Sequence, residues 1–127
     1  MMRILLAEQR SWLRSALRLL IELETTMKVV GEAENLDELL CLTDELKPDL
    51  ILLDWAMVRV DYPQIVLLLR EHNSKVLFIV LIGQNEEAER DQIRETVAII
   101  SKAEAPNQLL QALRQVWDSL PSIHSGE

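Results

Sequence analysis

Short apolar runs alternate with longer amphipathic stretches five times along the chain. The apolar runs are brief and rich in Val, Ile and Leu, which is typical of buried β-strands. They cover Ile4–Ala7, Lys28–Ala33, Leu50–Leu53, Val76–Ile82 and Val97–Ile100. Between them, apolar residues recur three and four positions apart, and this spacing predicts helices. The helical stretches are Ser11–Leu23, Leu36–Leu46, Pro63–His72, Glu86–Glu95 and Pro106–Leu120.

Capping residues and prolines mark where these helices begin and end. Asn35, followed three residues later by Glu38, has the pattern of a helix N-cap with a capping box. Pro48 ends that helix, whereas Pro63 and Pro106 suit the first turns of later helices. The boundaries therefore support the division drawn from the apolar periodicity.

Five strands that alternate with five helices predict an α/β fold with a parallel sheet and helices on both faces. Right-handed crossovers leave few arrangements of such a chain. We expect a doubly wound, flavodoxin-like three-layer sandwich of (βα)5 type, with strand order 2-1-3-4-5. In this fold a functional site lies at the carboxyl ends of the strands, near the point where strand order reverses.

Length and charge narrow the classes of function. The 127 residues suit one domain, which we expect over residues 1–120, with residues 121–127 as a tail or linker. A net charge of −8 disfavours direct binding to nucleic acid. A single cysteine, Cys41, forms no internal disulfide, and no apolar stretch is long enough to span a membrane. A cytoplasmic domain is the expected setting.

Charged residues directly follow three of the predicted strands. Glu8 follows the first strand, Asp54 ends the third, and Lys102 follows the fifth. Because strands 1, 3 and 5 end at the same edge in this fold, we expect the three side chains to converge. A carboxylate can accept a phosphoryl group, a divalent cation can neutralise its charge, and a lysine can hold a phosphoryl oxygen.

The segments Arg3–Glu8, Val29–Ala33 and Pro48–Asp54 together resemble a response regulator receiver domain of bacterial two-component signalling, the CheY-like family. The resemblance extends to about Leu120. It implies that Asp54 is the phosphoryl acceptor and that Lys102 contacts the phosphoryl group. It also implies a Mg²⁺ site formed by Glu8, Asp54, the backbone carbonyl of Ala56 and, weakly, Gln9.

The chain departs from the family pattern at several of these positions. Gln9 stands where the family has the second residue of an acidic pair, so Mg²⁺ binding is expected to be weak. Ile82 replaces the serine or threonine at the end of strand 4, and Ile99 replaces an aromatic switch residue. Val58 replaces a proline in the loop after Asp54. We therefore expect impaired metal binding and switching.

Other features have a structural and a functional interpretation. The basic stripe Arg10, Arg14 and Arg18 is either a solvated face with an ion pair to Glu22, or a surface for docking a phosphodonor. Ile65, Leu68 and Leu69 of the third helix are expected to face the sheet. Val66 and Leu67 are then directed elsewhere, and are either buried against neighbouring loops or part of a partner or self-association patch. Trp12, Trp55 and Cys41 are expected to pack in the interior, and Trp117 is a packing residue that is expected to be part-exposed. The fourth helix has few apolar residues and is expected to be short or irregular. His72 is expected at a helix end and His124 in the tail.

Three hypotheses about function remain at this stage. One is a non-enzymatic receiver whose partners are a histidine kinase or phosphotransfer protein and an output domain or downstream protein. Another is a degenerate receiver that acts through phosphorylation-independent protein binding. A third, a small enzyme on the same scaffold, is disfavoured because no Gly-rich phosphate loop follows strand 1. A weak homodimer, through the third helix or through Trp117 of the last helix, is also expected.

Overall fold

The computed structural model describes residues 1–104 and 106–120. Strands and helices alternate as predicted, with one additional short helix after the third strand. The strands are β1 Arg3–Ala7, β2 Lys28–Ala33, β3 Leu50–Asp54, β4 Leu77–Ile82 and β5 Ala98–Ser101. The α-helices are α1 Ser11–Glu24, α2 Leu36–Leu46, α3 Trp55–Val58, α4 Tyr62–His72 and α5 Asn107–Asp118. A 3-10 helix, Gln84–Gln92, lies between β4 and β5 and is called the 3-10 segment below.

The five strands form one parallel sheet in the order β2-β1-β3-β4-β5, which confirms the predicted topology. One register shift occurs, where Ile4 pairs with Val29 but Leu5 pairs with Gly31, so that Val30 is an extra residue in β2. β3 lies at the centre of the sheet and all five of its residues are buried. Glu8 and Asp54, the two carboxylates predicted to converge, therefore lie at the ends of adjacent strands, β1 and β3.

Each face of the sheet carries its own apolar core. Leu17 and Ile21 of α1 pack with Leu109 and Leu113 of α5 on one face. On the other face, Leu39 of α2 packs in the same cluster as apolar residues of α3 and α4. This confirms the three-layer arrangement. Among the described residues, no helix is both long enough and apolar enough to cross a bilayer.

The predicted helix caps agree with the structure. Asn35 Oδ1 accepts a hydrogen bond from Glu38 N at 2.9 Å, as the capping pattern predicts. The Glu38 carboxylate accepts instead from Glu34 N, one residue before the cap. α2 ends at Lys47, which adopts a left-handed conformation with φ 49°. Pro63 lies in the first turn of α4. His72 ends α4 as predicted, and His124 lies outside the described residues.

Three predictions of burial were wrong. Trp12 was expected to pack in the interior but is 67% exposed on α1, and Cys41 is exposed on α2. On α4, Leu68 was expected to face the sheet but is exposed. Of the two residues directed elsewhere, Val66 is buried and Leu67 is exposed. The apolar character of the α4 segment on all sides left its orientation undetermined.

The region after β4 is irregular, as its composition predicts. The 3-10 segment buries none of its residues, and Ile93 directly after it is the nearest apolar anchor. β5 starts at Ala98, one residue later than predicted, and Val97 before it is 47% exposed. A weakly anchored crossover thus leads into the strand that positions Lys102.

Candidate functional site

Three strand ends place two carboxylates and an ammonium at one edge of the sheet. Asp54 is the last residue of β3, Glu8 follows β1, and Lys102 follows β5. Lys102 N donates to the carbonyl oxygen of Ile82 at 2.8 Å, which extends the pairing of β4 with β5 by one residue. Glu8 N donates likewise to Ala33 O at 3.0 Å. The backbone of the sheet therefore sets the position of each group.

Lys102 forms ion pairs with both carboxylates. Its Nζ lies 2.7 Å from Asp54 Oδ1 and 3.4 Å from Glu8 Oε1. The side chains of Asp54 and Glu8 are 2% exposed, whereas that of Lys102 is 17% exposed. This confirms the convergence predicted for these three side chains. Two carboxylates share one ammonium, which leaves the site with a net negative charge that favours a further cation.

The Glu8 carboxylate is oriented by the start of α1. Its Oε2 accepts a hydrogen bond from Arg10 N at 2.9 Å, and the Glu8 carbonyl accepts from Arg14 Nη1 at 2.8 Å. This leaves Oε1 directed to the side of Lys102. The turn between β1 and α1 thus fixes the orientation of the Glu8 carboxylate, and an acidic residue at position 9 is not needed for this.

The two oxygens that face Lys102 lack directed hydrogen bonds. Glu8 Oε1 and Asp54 Oδ1 are fully buried and receive no hydrogen bond from the described residues, so that the nearby ammonium is their only compensation. Oxygens of this kind are the ligands that Mg²⁺ prefers. The two carboxylates therefore fit a hard divalent cation.

The remaining ligands that the resemblance implies are neutral oxygens. Gln9 and Ala56 are both exposed at the same edge of the sheet. Among residues 1–104 and 106–120, no three His, Cys, Asp or Glu side chains come together as a metal-binding group. The site therefore combines two acidic side chains with neutral oxygens, and the expected affinity for Mg²⁺ is modest.

The ends of β4 and β5 bring apolar side chains close to the site. Ile82 is fully buried and pairs in register with Ser101. Ile99 is partly buried against the core, and its carbonyl oxygen accepts from Arg90 Nη1 at 3.5 Å. Both side chains therefore act in packing, as the sequence predicts for strand ends, and neither offers a side-chain hydrogen bond.

A polar hollow of about 400 Å³ opens beside Lys102. Its lining is mostly polar and comes from the start of α1, the turn after β4 and the turn after β5. The lining residues are Arg10, Gly83, Gln84, Asn85, Glu86, Lys102 and Ala103. The Gly83 amide donates to Glu86 Oε1 at 2.8 Å, and this hydrogen bond stabilises the turn after β4. The hollow gives a small anionic group access to the lysine.

The arginine stripe is largely engaged within the molecule. Arg14 Nε lies 3.2 Å from Glu32 Oε1, and Arg18 Nη1 lies 2.5 Å from Glu32 Oε2. Arg18 also pairs with Glu22 at 3.6 Å, as predicted. Arg10 is exposed and takes part in none of these ion pairs. The stripe therefore links α1 to β2 and leaves one guanidinium for contacts outside the fold.

One contact beside the site was not predicted. Trp55, directly after Asp54, is 1% exposed and donates its Nε1–H to Glu89 Oε1 at 3.0 Å. Arg59 Nη2 lies 2.6 Å from Glu89 Oε2. Tyr62 packs edge-on against Trp55, with ring centroids 5.2 Å apart. Glu89 lies in a charged stretch with no periodicity, so no sequence signal distinguishes it from its neighbours.

Comparison with known proteins identifies similar chains over most of the length. A family model described as the response regulator receiver domain matches residues 4–114. The nitrate/nitrite response regulator protein NarL of Escherichia coli is 32% identical over 114 residues, or 88% of this chain and 53% of that protein. The transcriptional regulatory protein YdfI of Bacillus subtilis is 32% identical over 87 residues, or 68% of this chain and 40% of that protein. The chain thus spans about half the length of the curated relatives it matches.

A solved structure shows the same architecture. The REC domain of AraT, a response regulator from Geobacillus stearothermophilus, superimposes with a TM-score of 0.80 at 25% identity, covering 97% of this chain and 98% of that one. The isolated REC domain of RcsB from Salmonella enterica serovar Typhimurium, determined with the phosphomimetic BeF3⁻, gives a TM-score of 0.80 at 22% identity. It covers 93% of this chain and 89% of that one, and at this identity the likeness concerns the fold alone.

Proposed function

The chain belongs to the response regulator receiver domain family, and from this membership we propose that it accepts a phosphoryl group on Asp54 from a histidine kinase. Receiver domains are signalling modules rather than enzymes in the usual sense, and they interact with histidine kinases and output domains. The proposal concerns residues 1–120 as the receiver unit in a cytoplasmic setting, whereas the proposed tail 121–127 lies outside the described residues.

The contact between Lys102 and Asp54 carries the proposal. An Asp54 carboxylate oxygen attacks the phosphorus of the donor, and an acyl phosphate forms on Asp54. The bond from phosphorus to the donor nitrogen breaks, and the electron pair of that bond stays on the nitrogen as its lone pair. The attacking carboxylate is already ionised, so that it loses no proton in this step. Lys102 Nζ, 2.7 Å from Asp54 Oδ1, is placed to pair with an oxygen of the transferred group.

Receiver domains generally bind Mg²⁺ at the phosphorylation site. In this chain Glu8 and Asp54 would hold the ion, with Gln9 and the backbone carbonyl of Ala56 as neutral ligands. When bound, the ion neutralises negative charge on the incoming phosphoryl group. Glu8 would keep its own orientation throughout, because Arg10 N holds Oε2.

We further propose that metal binding and switching are impaired. An amide at Gln9 supplies one negative charge fewer than a carboxylate would. Ile82 is fully buried and cannot donate a hydrogen bond to a phosphoryl oxygen. Ile99 packs against the core and has no polar end with which to report a change at the site. Phosphorylation is thus expected to be slow and to move the β4–β5 face little.

A second candidate function is supported by the same ion pairs. Lys102 forms ion pairs with both carboxylates, so that the three groups are held together in the fold without metal or phosphate. A degenerate receiver that binds its partners without phosphorylation would need no more than this arrangement. The two functions differ in a single measurable step, the labelling of Asp54.

Intact-mass analysis after incubation with acetyl phosphate and Mg²⁺ tests the proposal. We expect slow, Mg²⁺-dependent addition of one phosphoryl group, which is lost in Asp54→Asn and retained in the control Asp61→Asn, an exposed carboxylate after α3. The pair Gln9→Asp and Ile82→Thr should speed labelling. No labelling of the wild type or of this pair would favour the degenerate receiver, whereas rapid labelling with a large change at β4 and β5 would exclude impairment.

A further inference from the structure

A cavity opens between α4 and residues 92–95, where the 3-10 segment ends. Its volume is about 470 Å³, which lies within the roughly 300–1,000 Å³ of small-molecule binding sites. Most of its lining is apolar. The site is called the α4 cavity below, and the lining residues that matter to its chemistry are Tyr62, Val66, Leu67, Arg70, Arg94 and Glu95.

The floor of the α4 cavity is apolar and is fixed by the fold. Tyr62 and Val66 are each 2% exposed. The Tyr62 hydroxyl donates a hydrogen bond to the carbonyl oxygen of Arg94 at 2.5 Å, and this bond joins the two walls of the cavity. Leu67 lines the same cavity but is 64% exposed. A molecule that fills the α4 cavity therefore meets a preformed apolar surface and covers an exposed leucine.

The charged groups around the α4 cavity differ in whether they have partners. Arg70 forms an ion pair with Glu95, and its guanidinium lies 5.2 Å from the centre of the Phe78 ring. The Arg94 side chain is exposed and forms neither an ion pair nor a hydrogen bond with residues 1–104 and 106–120. The lining thus carries one positive charge in excess, in a chain whose net charge is −8. An unpaired guanidinium beside an apolar cavity favours a ligand that has an anionic group.

We infer that the α4 cavity binds a small organic acid, which has an apolar ring or short apolar chain and a single carboxylate. The apolar part packs against Tyr62, Val66 and Leu67, and the carboxylate pairs with Arg94. The planar guanidinium matches a carboxylate, because the two groups form two parallel hydrogen bonds. One positive charge in excess balances a carboxylate, whereas a doubly charged phosphate would be left partly uncompensated.

A ligand in the α4 cavity connects α4 to the end of the 3-10 segment. This segment buries none of its own residues and is therefore the part of the fold that such a ligand restrains most. The lining of the α4 cavity is made without Glu8, Asp54 or Lys102. A small organic acid thereby acts on the domain by a route that is separate from phosphorylation of Asp54, and this goes beyond the proposed function.

Titration of the full chain with cinnamate, followed by the amide chemical shifts in NMR spectra, tests this inference. Cinnamate has a flat apolar body and one carboxylate, and saturable shifts are expected at residues 62–70 and 92–95. Acetate carries the charge without the apolar body and should bind at least about tenfold more weakly. The neutral cinnamamide keeps the apolar body and should bind about fivefold more weakly, which is the scale of one exposed ion pair.

A charge-removal variant tests the role of Arg94. Arg94→Gln should weaken the binding of cinnamate by about fivefold and leave the binding of cinnamamide unchanged. The matched control is Arg114→Gln, at an exposed arginine of α5, which should leave both affinities unchanged. Asp54→Asn should bind cinnamate as the wild type does, so that a failure of this inference and a failure of phosphorylation are separate results. Circular dichroism checks that the variants fold.

Several outcomes would overturn the inference. One is the absence of saturable shifts at residues 62–70 and 92–95, and another is a set of shifts confined to the hollow beside Lys102. Equal weakening by Arg94→Gln and Arg114→Gln would show that the charge acts without a specific site. Equal affinity of the wild type for cinnamate and cinnamamide would overturn the pairing of a carboxylate with Arg94.

Discussion

The indole of Trp55 donates a hydrogen bond to the carboxylate of Glu89 at 3.0 Å. This bond joins the segment that begins directly after Asp54 to the 3-10 segment, which follows a different strand. Arg59 reaches the other carboxylate oxygen of Glu89 at 2.6 Å. Since the 3-10 segment buries none of its own residues, polar contacts of this kind hold it to the rest of the fold.

Loss of the Glu89 carboxylate is expected to loosen the 3-10 segment. Glu89→Ala removes acceptors for Trp55 and Arg59, and a hydrogen bond to a charged group contributes about 1.5 kcal/mol or more. Amides of residues 84–92 should then exchange with solvent about tenfold faster in native-state hydrogen exchange. The control is Glu87→Ala, whose carboxylate pairs with Arg90 within the same segment. Equal exchange in the two variants would show that Glu89 does not hold the segment.

In the wild-type protein, the 3-10 segment is expected to open more readily than the central strand β4. In the wild-type protein, amides of residues 87–95 should open earlier than those of residues 76–81, because β4 is buried and the 3-10 segment is not. Protection of both regions to the same degree would contradict this.

Removal of the Lys102 ammonium is expected to destabilise the protein. Lys102→Gln leaves Glu8 and Asp54 buried without a compensating charge. The loss should be about 2 kcal/mol, below the range for fully buried pairs because Lys102 is partly exposed. Asp54→Asn should be close to neutral or stabilising in the absence of Mg²⁺, since one carboxylate then has the ammonium to itself. Urea unfolding measures both, with exposed Lys75→Gln as the control. A similar loss in Lys102→Gln and Asp54→Asn would contradict the charge argument.

Tyr62, the chain's single tyrosine, is expected to titrate late. Burial raises the pKa of Tyr62 to about 12. The unfolded chain loses this proton near pH 10, so that the contribution of Tyr62 to stability is complete below that pH and is lost as the pH rises towards 12. The phenolate absorbance of the folded protein should accordingly develop around pH 12. Tyr62→Phe should show a smaller fall in unfolding free energy over this range, and an identical fall would contradict the assignment.

Asp44 is expected to titrate below its ordinary value. The hydrogen bond from His72, followed by that from Lys47, lowers the pKa of the Asp44 carboxyl below 3.8. The stabilisation is present above pH 3.8 and is lost as the pH falls through the lowered pKa. Carboxyl ¹³C NMR should show that His72→Gln and Lys47→Gln each raise the pKa of Asp44. An Asp44 pKa that is unchanged in either variant would contradict the role assigned to that contact.

The sheet and the three charged groups at its edge were predictable from the sequence for a shared reason. Buried parallel strands need continuous apolar runs, and such runs end abruptly at Asp54 and just before Glu8. The alternation with helices then determines which strand ends are neighbours. The position of Lys102 could be predicted from the same topology, because β5 runs parallel to the other strands and ends at the same edge of the sheet.

Side-chain exposure and distant polar contacts were not predictable in this way. Leu17 and Trp12 are both apolar residues of α1, but they lie five positions apart and therefore on different sides of the helix. The expected burial of Trp12 rested on its residue type and not on its spacing, and Trp12 is 67% exposed. The segment Ile65–Leu69 of α4 is apolar on all sides, so the sequence did not show that Leu68 is on the exposed side of the helix. The contact from Trp55 to Glu89 depends on the path of an irregular segment, which carries no repeating pattern.

The extra residue Val30 in β2 has a consequence for how copies of this protein can assemble. β2 forms one edge of the sheet, and its register shift disturbs the regular spacing of backbone groups that an incoming strand would need. Lys28, exposed at the start of β2, adds a charge to the same edge. The opposite edge, β5, has only four residues. Fibril-like growth by strand addition is therefore suppressed at both borders, which leaves helical surfaces as the available route to association.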